Sequence, residues 1–482
     1  MRPDELTALL DMILRRRCEM QNIELKKAGK GTPTKLYDTL SAFANQKDGG
    51  TIVFGLDEKD NYTVTGVYDA QDLQVQVTNA ALQLEPVVRP VFTVVEYMGK
   101  TIVSAEIPEC EPENKPCFYR AAGRIRGSYV RVGDADLPMT EYEIYAYEVY
   151  RKKIRDELRT VDRAELSDLS GNLLAAYFAK LREEKPVLVA KAESDVLRLQ
   201  GMTVQGKPTV AGMMLLCDYP QAFFPQLSIT AMVVDGTEIG LTTANRARFI
   251  DNRRLEGTIP QMLESAVNFV RRNIRNAVII HENGSREDRP EYPMVAVREI
   301  ILNALIHRDY SIYTEDSPIR VILYRDRLVV ENPGGLYGRL SINDLGKLPA
   351  DTRNPFIAGS LEVMINTEDR FSGIPTIYEE MSRAGLQPPV FESIRGNFRV
   401  TLYNARAEKP AEASDGKSTE ENILAFCKKP KSKAEISEYL GIATQYYVMK
   451  QYIRPLLEKN MLKMTIPDKP GSRNQKYYTA DD

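Results

Sequence analysis

The sequence predicts an α+β protein of several domains, and three observations carry that expectation. At 482 residues the chain is too long for one hydrophobic core, and calls for roughly three or four domains. Alternating apolar runs, TIVFGLDEKDNYTVTGV and RPVFTVVEYMGKTIVSAEIPE, are interleaved with helical patterns such as IPQMLESAVNFVRRNIRNAVI. The segment ARAEKPAEASDGKSTEE is rich in Ala, Lys, Glu and Ser without an apolar period, so it reads as a linker.

Composition narrows the class. Hydrophobic residues make up 43% and charged residues 27%, as in an ordinary globular protein. A net charge of -3 excludes a uniformly basic nucleic-acid coat, so any such contact must come from local patches. Cys18, Cys110, Cys117, Cys217 and Cys427 are scattered, and no second pair or histidine completes a zinc site beside Cys110 and Cys117. They read as free thiols of a reducing cytoplasm. The opening MRPDELTALLDMILRRR has no apolar signal core, and no apolar run approaches the ~20 residues that span a bilayer. A cytoplasmic protein without membrane segments is expected.

In chain order, LYDTLSAFANQ has helical spacing and stops at DGG, where glycine lets the chain reverse. A hairpin turning at Met98–Lys100 follows, and YRAAGRIRGSYVRVG reads as a second hairpin, so residues 1–138 form an α+β domain. Residues 139–289 are a helical and mixed connector, in which PTVAGMMLLCDYP and LSITAMVVDG are strand-like or buried. Residues 290–405 hold a helix over 293–307, strands in IRVILYRDRLVVEN, a glycine turn and a helix near IPTIYEEMSRAGL. Residues 406–418 form the linker, and 419–482 hold three helical patterns and a closing hairpin. There is no internal repeat.

The run CEMQNIELKKA sets Glu19 and Glu24 before a lysine pair, and Asp57 and Glu58 follow the strand TIVFGL. Converging carboxylates can hold divalent metals that activate water and stabilise charge on phosphorus; on an exposed edge they are merely solvated. Lys115, Arg120, Arg124, Arg126 and Arg131 lie among Phe118, Tyr119 and Tyr129, a mixture that neutralises phosphates and stacks on bases, or simply a solvated strand face. The order CEMQNIELKK, SAFANQKDGGTIVFGLDEKDNYTVTGV and GSYVRVGD resembles the Schlafen-type AlbA-like domain. That resemblance implies DNA or RNA binding, which favours Lys115, Arg124, Arg126 and Arg131 as contacts. In the Schlafen branch three acids form an endoribonuclease site; Glu19 and Glu24 match the first two and Glu58 falls at the third, with Mn²⁺ or Mg²⁺ as the implied metal.

Glu299, Asn303 and His307 recur at i, i+4 and i+8, one polar stripe on a helix whose other faces carry Val297, Ile301, Ala304 and Leu305. A stripe of this kind needs a partner such as Mg²⁺ and phosphates, or else it is an exposed face. VREIILNALIHRDY, RLVVENPGGLYG, RNPFIAGSL and RFSGIPTIYEEMSRAGLQPPVFE, in this order, resemble the divergent GHKL-type ATP-binding domain of AlbA-domain bacterial regulators, an α/β sandwich. The resemblance implies ATP and Mg²⁺, with Glu299 activating water and Asn303 binding the magnesium. It makes Asn332, in the place of an acid, the reader of the adenine amino group, with Gly334 and Gly335 permitting close backbone approach. Arg353 and Asn354 are implied phosphate contacts, and Gly373 a part of the phosphate-covering loop. Phe371 stands where related sequences carry the first glycine of G-x-G-I, which favours binding over turnover. For His307, packing or an ion pair with Asp309 is expected. No G-x-x-x-x-G-K-[ST] motif occurs, so P-loop motor chemistry has no support.

The tail reads as a winged helix: helix, AEISEYLG helix, TQYYVMKQYIRPLLEKN helix and a basic β wing. Gln445, Tyr446, Lys450, Lys469, Arg473 and Lys476 are its candidate DNA contacts, with protein contact or dimerisation as the alternative use. Taken together, the sequence leads to a cytoplasmic, ATP-responsive nucleic-acid-binding regulator of transcription, acting on DNA rather than RNA as a homo-oligomer. The alternative is a Schlafen-like metal-dependent endoribonuclease in defence against foreign nucleic acid.

Overall fold

Period-two alternation in the N-terminal strands decides the first core. The computed structural model describes residues 1–18, 20–239, 249–280, 286–365, 373–394, 396–405, 419–439, 448–458, 461–467, 472 and 475–479, with backbone alone at 277–280, 286–289, 419–422, 438, 450–451 and 458. Strands β1 (Ile23–Lys26), β2 (Gly50–Phe54), β3 (Val91–Tyr97) and β4 (Lys100–Ile107) form a sheet in the order β1-β2-β4-β3. Ile52 and Phe54 pack on one face with Leu40 and Phe43 of helix α1 (Tyr37–Asn45). Val53 points to the opposite face, against Leu6, Leu10 and Ile13 of the N-terminal helix Pro3–Arg16. Met98 (φ 50°) and Gly99 (φ 71°) close the β3–β4 hairpin in the left-handed pair that a two-residue turn requires.

The second expected hairpin differs. Phe118–Tyr119 pairs with Leu84–Glu85, and a 3-10 turn and a short helix, Gly123–Gly127, follow. Gly127 lies against Tyr119, where a Cβ would stand 2.5 Å from its carbonyl oxygen. The hairpin forms later, from Tyr129–Val132 and Ala135–Pro138.

A six-stranded sheet dominates the rest of this unit, which runs from Met1 to Ala405. Its order is Asp251–Leu255, Ile229–Val233, Ile319–Leu323, Arg327–Pro333, Asn397–Tyr403, Val390–Ile394. Only the pairing of 229–233 with 319–323 is parallel. The sheet and its core therefore cross the expected domain limit at 289/290. Val321, Leu328, Val330, Val400 and Leu402 face helices α2 (Ile259–Asn273), α3 (Met294–His307) and α4 (Gly373–Arg383) in one apolar cluster. The buried part of PTVAGMMLLCDYP is a helix, Val210–Leu216, because Thr209 Oγ1 accepts from Gly212 N at 3.0 Å and starts it.

The second unit, Arg406–Asp482, has helices Thr419–Phe426, Lys433–Tyr439 and Arg454–Glu458 beside a three-stranded sheet. Lys476–Thr479 lies between Lys431–Ser432 and Leu462–Met464. Ile423, Ile436, Val448, Ile453, Leu456 and Tyr477 make its core. Among the described residues no helix is long and apolar enough to cross a membrane.

Candidate nucleotide pocket

Helix α3 begins after Pro293 and buries Ala296, Val297, Ile300, Ile301 and Leu305 against the sheet, which turns its polar stripe outward. That stripe lines two adjoining hollows. One, of about 110 Å³, is largely apolar and is lined by Asn303, His307, Asn332, Gly334, Gly335 and the aromatic rings of Tyr337, Phe391 and Phe398, among others. The second is a cleft of about 660 Å³, lined by Glu299, Asn303, His307, Lys347, Thr352, Glu362 and Gly373 among others. Asn303 and His307 belong to both walls. Glu299 and Asn332 thus stand at the two ends of one continuous depression.

The polar end is held tightly. Asn303 Nδ2 donates to Glu299 Oε1 at 3.2 Å, which leaves the amide oxygen of Asn303 for another partner. Burial raises the Glu299 pKa, and the hydrogen bond from Asn303 and the Arg298 charge oppose it. Gly373 opens helix α4 so close to Glu299 that a Cβ there would lie 2.4 Å from Oε1. A side chain at 373 would therefore displace the Glu299 carboxylate. Phe371 lies outside the described residues.

At the apolar end Asn332 is 4% exposed, and its Oδ1 has no hydrogen-bond partner among the described residues. A buried acceptor left unpaired is costly unless a ligand supplies a donor. Gly334 (φ 105°) follows, and a Cβ there would meet Asp309 Cβ at 2.8 Å. Burial and the nearby Arg353 guanidinium push the His307 pKa down to about 4, so the ring on both walls is neutral at neutral pH.

Arg353 lines neither hollow. Its Nη1 pairs with Asp309 Oδ2 at 2.9 Å, Nη2 donates to Gly335 O at 3.0 Å, and its guanidinium stacks over Tyr337 at 5.2 Å. Asp309 is therefore the partner of Arg353, and the expected ion pair with His307 does not form. Asn354 Nδ2 donates to Ile306 O (2.8 Å) and Arg308 O (2.7 Å), closing the end of α3 and facing away from the cleft. Both residues buttress the walls through fixed hydrogen bonds.

Several participants were not visible in the sequence. Helix Glu141–Lys152 brings Tyr142 OH to Asp309 Oδ2 (2.8 Å) and packs Tyr150 edge-on to Tyr337 at 5.4 Å. Glu157 is fully buried and accepts from Phe356 N (3.1 Å) and Ile357 N (2.8 Å), satisfying the start of helix Pro355–Ile365. Burial lifts its pKa to about 7 against those two hydrogen bonds and the Arg155 charge. Lys347 stands in the cleft wall from an exposed loop. The sequence signal for the two tyrosines was the tyrosine-rich EYEIYAYEVYRK, which has no motif of its own, and nothing in the sequence pointed to Glu157 or Lys347.

The N-terminal candidates separate by burial. Glu24 is 8% exposed and pairs with Lys26 and with Arg131 Nη1, the latter at 2.8 Å. Arg131 also meets Asp136 at 3.1 Å and lies over Phe43, so it is an internal ion-pair residue and not a surface contact. Lys115 is equally enclosed, donating to Asn45 O (2.9 Å) and Glu109 (2.6 Å). Arg124 is half-buried on Phe118 and paired with Glu148. Arg126 and Glu58 are exposed, and Asp57 is paired with Lys27. Glu19 lies outside the described residues; among those described, no three His, Cys, Asp or Glu side chains group as a metal would need. In the tail Lys476 is exposed, whereas Gln445, Tyr446, Lys469, Arg473 and the Lys450 side chain lie outside the described residues.

Three separate segments of the chain match known families. Residues 19–140 match the family described as Schlafen, AlbA_2, and 316–402 match "Putative ATP-dependent DNA helicase recG C-terminal". Residues 421–479 match the C-terminal domain of Fic-like proteins, named for filamentation induced by cAMP. Among solved structures, the DIP2311 protein of Corynebacterium diphtheriae is 19% identical over 99% of this chain and 97% of its own, with a TM-score of 0.44. The N-terminal domain of a RecG-related protein from Nitrosomonas europaea is 29% identical over 28% of this chain and 92% of its own, with a TM-score of 0.23. No curated protein matches the chain. The chain carries a Schlafen AlbA_2 domain and, C-terminal to it, a RecG-like domain of the HATPase type.

Proposed function

We propose, from a chain that joins these two domains, an ATP-responsive nucleic-acid-binding protein that regulates transcription. The single observation that carries the nucleotide part is the unpartnered, buried Oδ1 of Asn332 at the apolar end of the depression. The amino group of adenine is a donor of the right kind for it, and Tyr337, Phe391 and Phe398 give the base apolar walls. Asn303 would hold Mg²⁺ through its amide oxygen, and the metal would neutralise phosphate charge there. Glu299, which accepts a hydrogen bond from Asn303, would orient a water.

The responsive part rests on helix Glu141–Lys152. It follows directly on the AlbA_2 segment and reaches the nucleotide wall through Tyr142, Asp309, Arg353 and Gly335. A ligand that fixes the Gly334–Gly335 turn would favour one packing of that helix, and nucleic-acid affinity would follow through differential contacts. Arg126 in the N-terminal domain and Lys476 in a winged-helix tail are the exposed cations this reading uses, with DNA as partner and a homo-oligomer linking weak sites. Calorimetry of the full chain with ATP and Mg²⁺ tests it: binding weakened by Asn303→Ala supports the reading, and no heat with the unaltered chain refutes it.

A further inference from the structure

Among the described residues, the phosphate contacts first expected, Arg353 and Asn354, do not line the cleft. Arg353 is turned to Asp309 and Gly335 O. The start of helix Pro355–Ile365, an obvious seat for an anion, already holds the Glu157 carboxylate on Phe356 N and Ile357 N. Asn354 is spent on Ile306 O and Arg308 O. His307 is uncharged at neutral pH.

Among the described residues of the cleft wall, Lys347 carries the one positive charge, and Glu299 lines the same cleft. A triphosphate bound beside the Glu299 carboxylate needs a cation besides its metal, or repulsion wins. Lys347 sits on the Gly346–Ala350 loop, which is anchored: a Cβ on Gly346 (φ 73°) would already touch Ile374 Cγ2 at 3.0 Å. Its ammonium donates to Asn343 O at 2.5 Å on the exposed surface, a contact that water or phosphate can replace at little cost.

We propose that Lys347 binds the terminal phosphates of the nucleotide in this cleft, and so selects nucleoside triphosphates over nucleosides. This rests on the nucleotide reading above. The full chain with Mg²⁺ is titrated with ATP, ADP and adenosine, unaltered and as Lys347→Gln and Lys347→Arg. ATP affinity should fall about tenfold or more in Lys347→Gln, as for loss of a charge-assisted hydrogen bond. Adenosine should bind unchanged, and Lys347→Arg should keep most of the ATP affinity. An unaltered ATP affinity in Lys347→Gln, or an equal loss for adenosine, overturns the assignment while leaving the nucleotide reading intact. A chain that binds none of the three overturns both.

Discussion

The Tyr142 hydroxyl donates to Asp309 Oδ2 at 2.8 Å, and the same oxygen meets Arg353 Nη1 at 2.9 Å. One carboxylate oxygen therefore joins the helix after the AlbA_2 segment to the turn that shapes the apolar pocket. Tyr142→Phe removes that donor and should destabilise the chain by about 1–3 kcal/mol. The same variant should uncouple nucleic-acid affinity from ATP. Binding to a labelled duplex with and without ATP–Mg²⁺ checks this; a full ATP response in the variant would break the link between helix and turn.

Buried and exposed arginines of the N-terminal domain should behave oppositely. Arg131→Ala leaves Glu24 and Asp136 facing an emptied site, at a cost of about 3–5 kcal/mol in urea unfolding. Arg126→Ala should leave stability unchanged and lower nucleic-acid affinity, with the salt dependence shallower by about one ion. An Arg126→Ala variant with wild-type affinity at every salt concentration would remove Arg126 from the interface.

Glu157 and His307 should shift stability with pH in opposite senses. The Glu157 pKa rises from 4.5 to about 7 on folding, so between these values the folded chain holds more protons. Its contribution to stability is present at low pH and is lost as pH rises through 7. His307 falls from 6.5 to about 4, so its contribution is full above 6.5 and is lost as pH falls through 4. Denaturant titrations of Glu157→Gln at pH 5 and pH 8 isolate the first effect: wild type should lose stability relative to the variant at the higher pH. An equal difference at both would mean that Glu157 does not titrate in that window.

Strands and their faces were legible because alternation alone sorts Ile52 and Phe54 from Val53. The polar stripe of α3 was legible for the same reason at helical period: Glu299, Asn303 and His307 do share one hollow wall. Burial of cations was not legible. Arg131 and Arg126 look alike in RIRGSYVRVG, yet Gly127 packs on Tyr119 and makes a helical turn of 123–127, so the two arginines end in different surroundings. Nor was the role of Arg353, since Asp309 and Gly335 lie 44 and 18 positions away and only the six-stranded sheet brings them together. The strand order crossing 289/290 escaped because its one parallel pair joins segments far apart in sequence.

In the proposed complex Asn332 reads the amino group of adenine. The direct measurement is calorimetric affinity for ATP against a purine triphosphate lacking the exocyclic amino group, in the unaltered chain and in Asn332→Leu. The unaltered chain should prefer ATP by about tenfold, the worth of one buried hydrogen bond, and the variant should show no preference. Equal affinity of the unaltered chain for both ligands would show that Asn332 does not read the amino group.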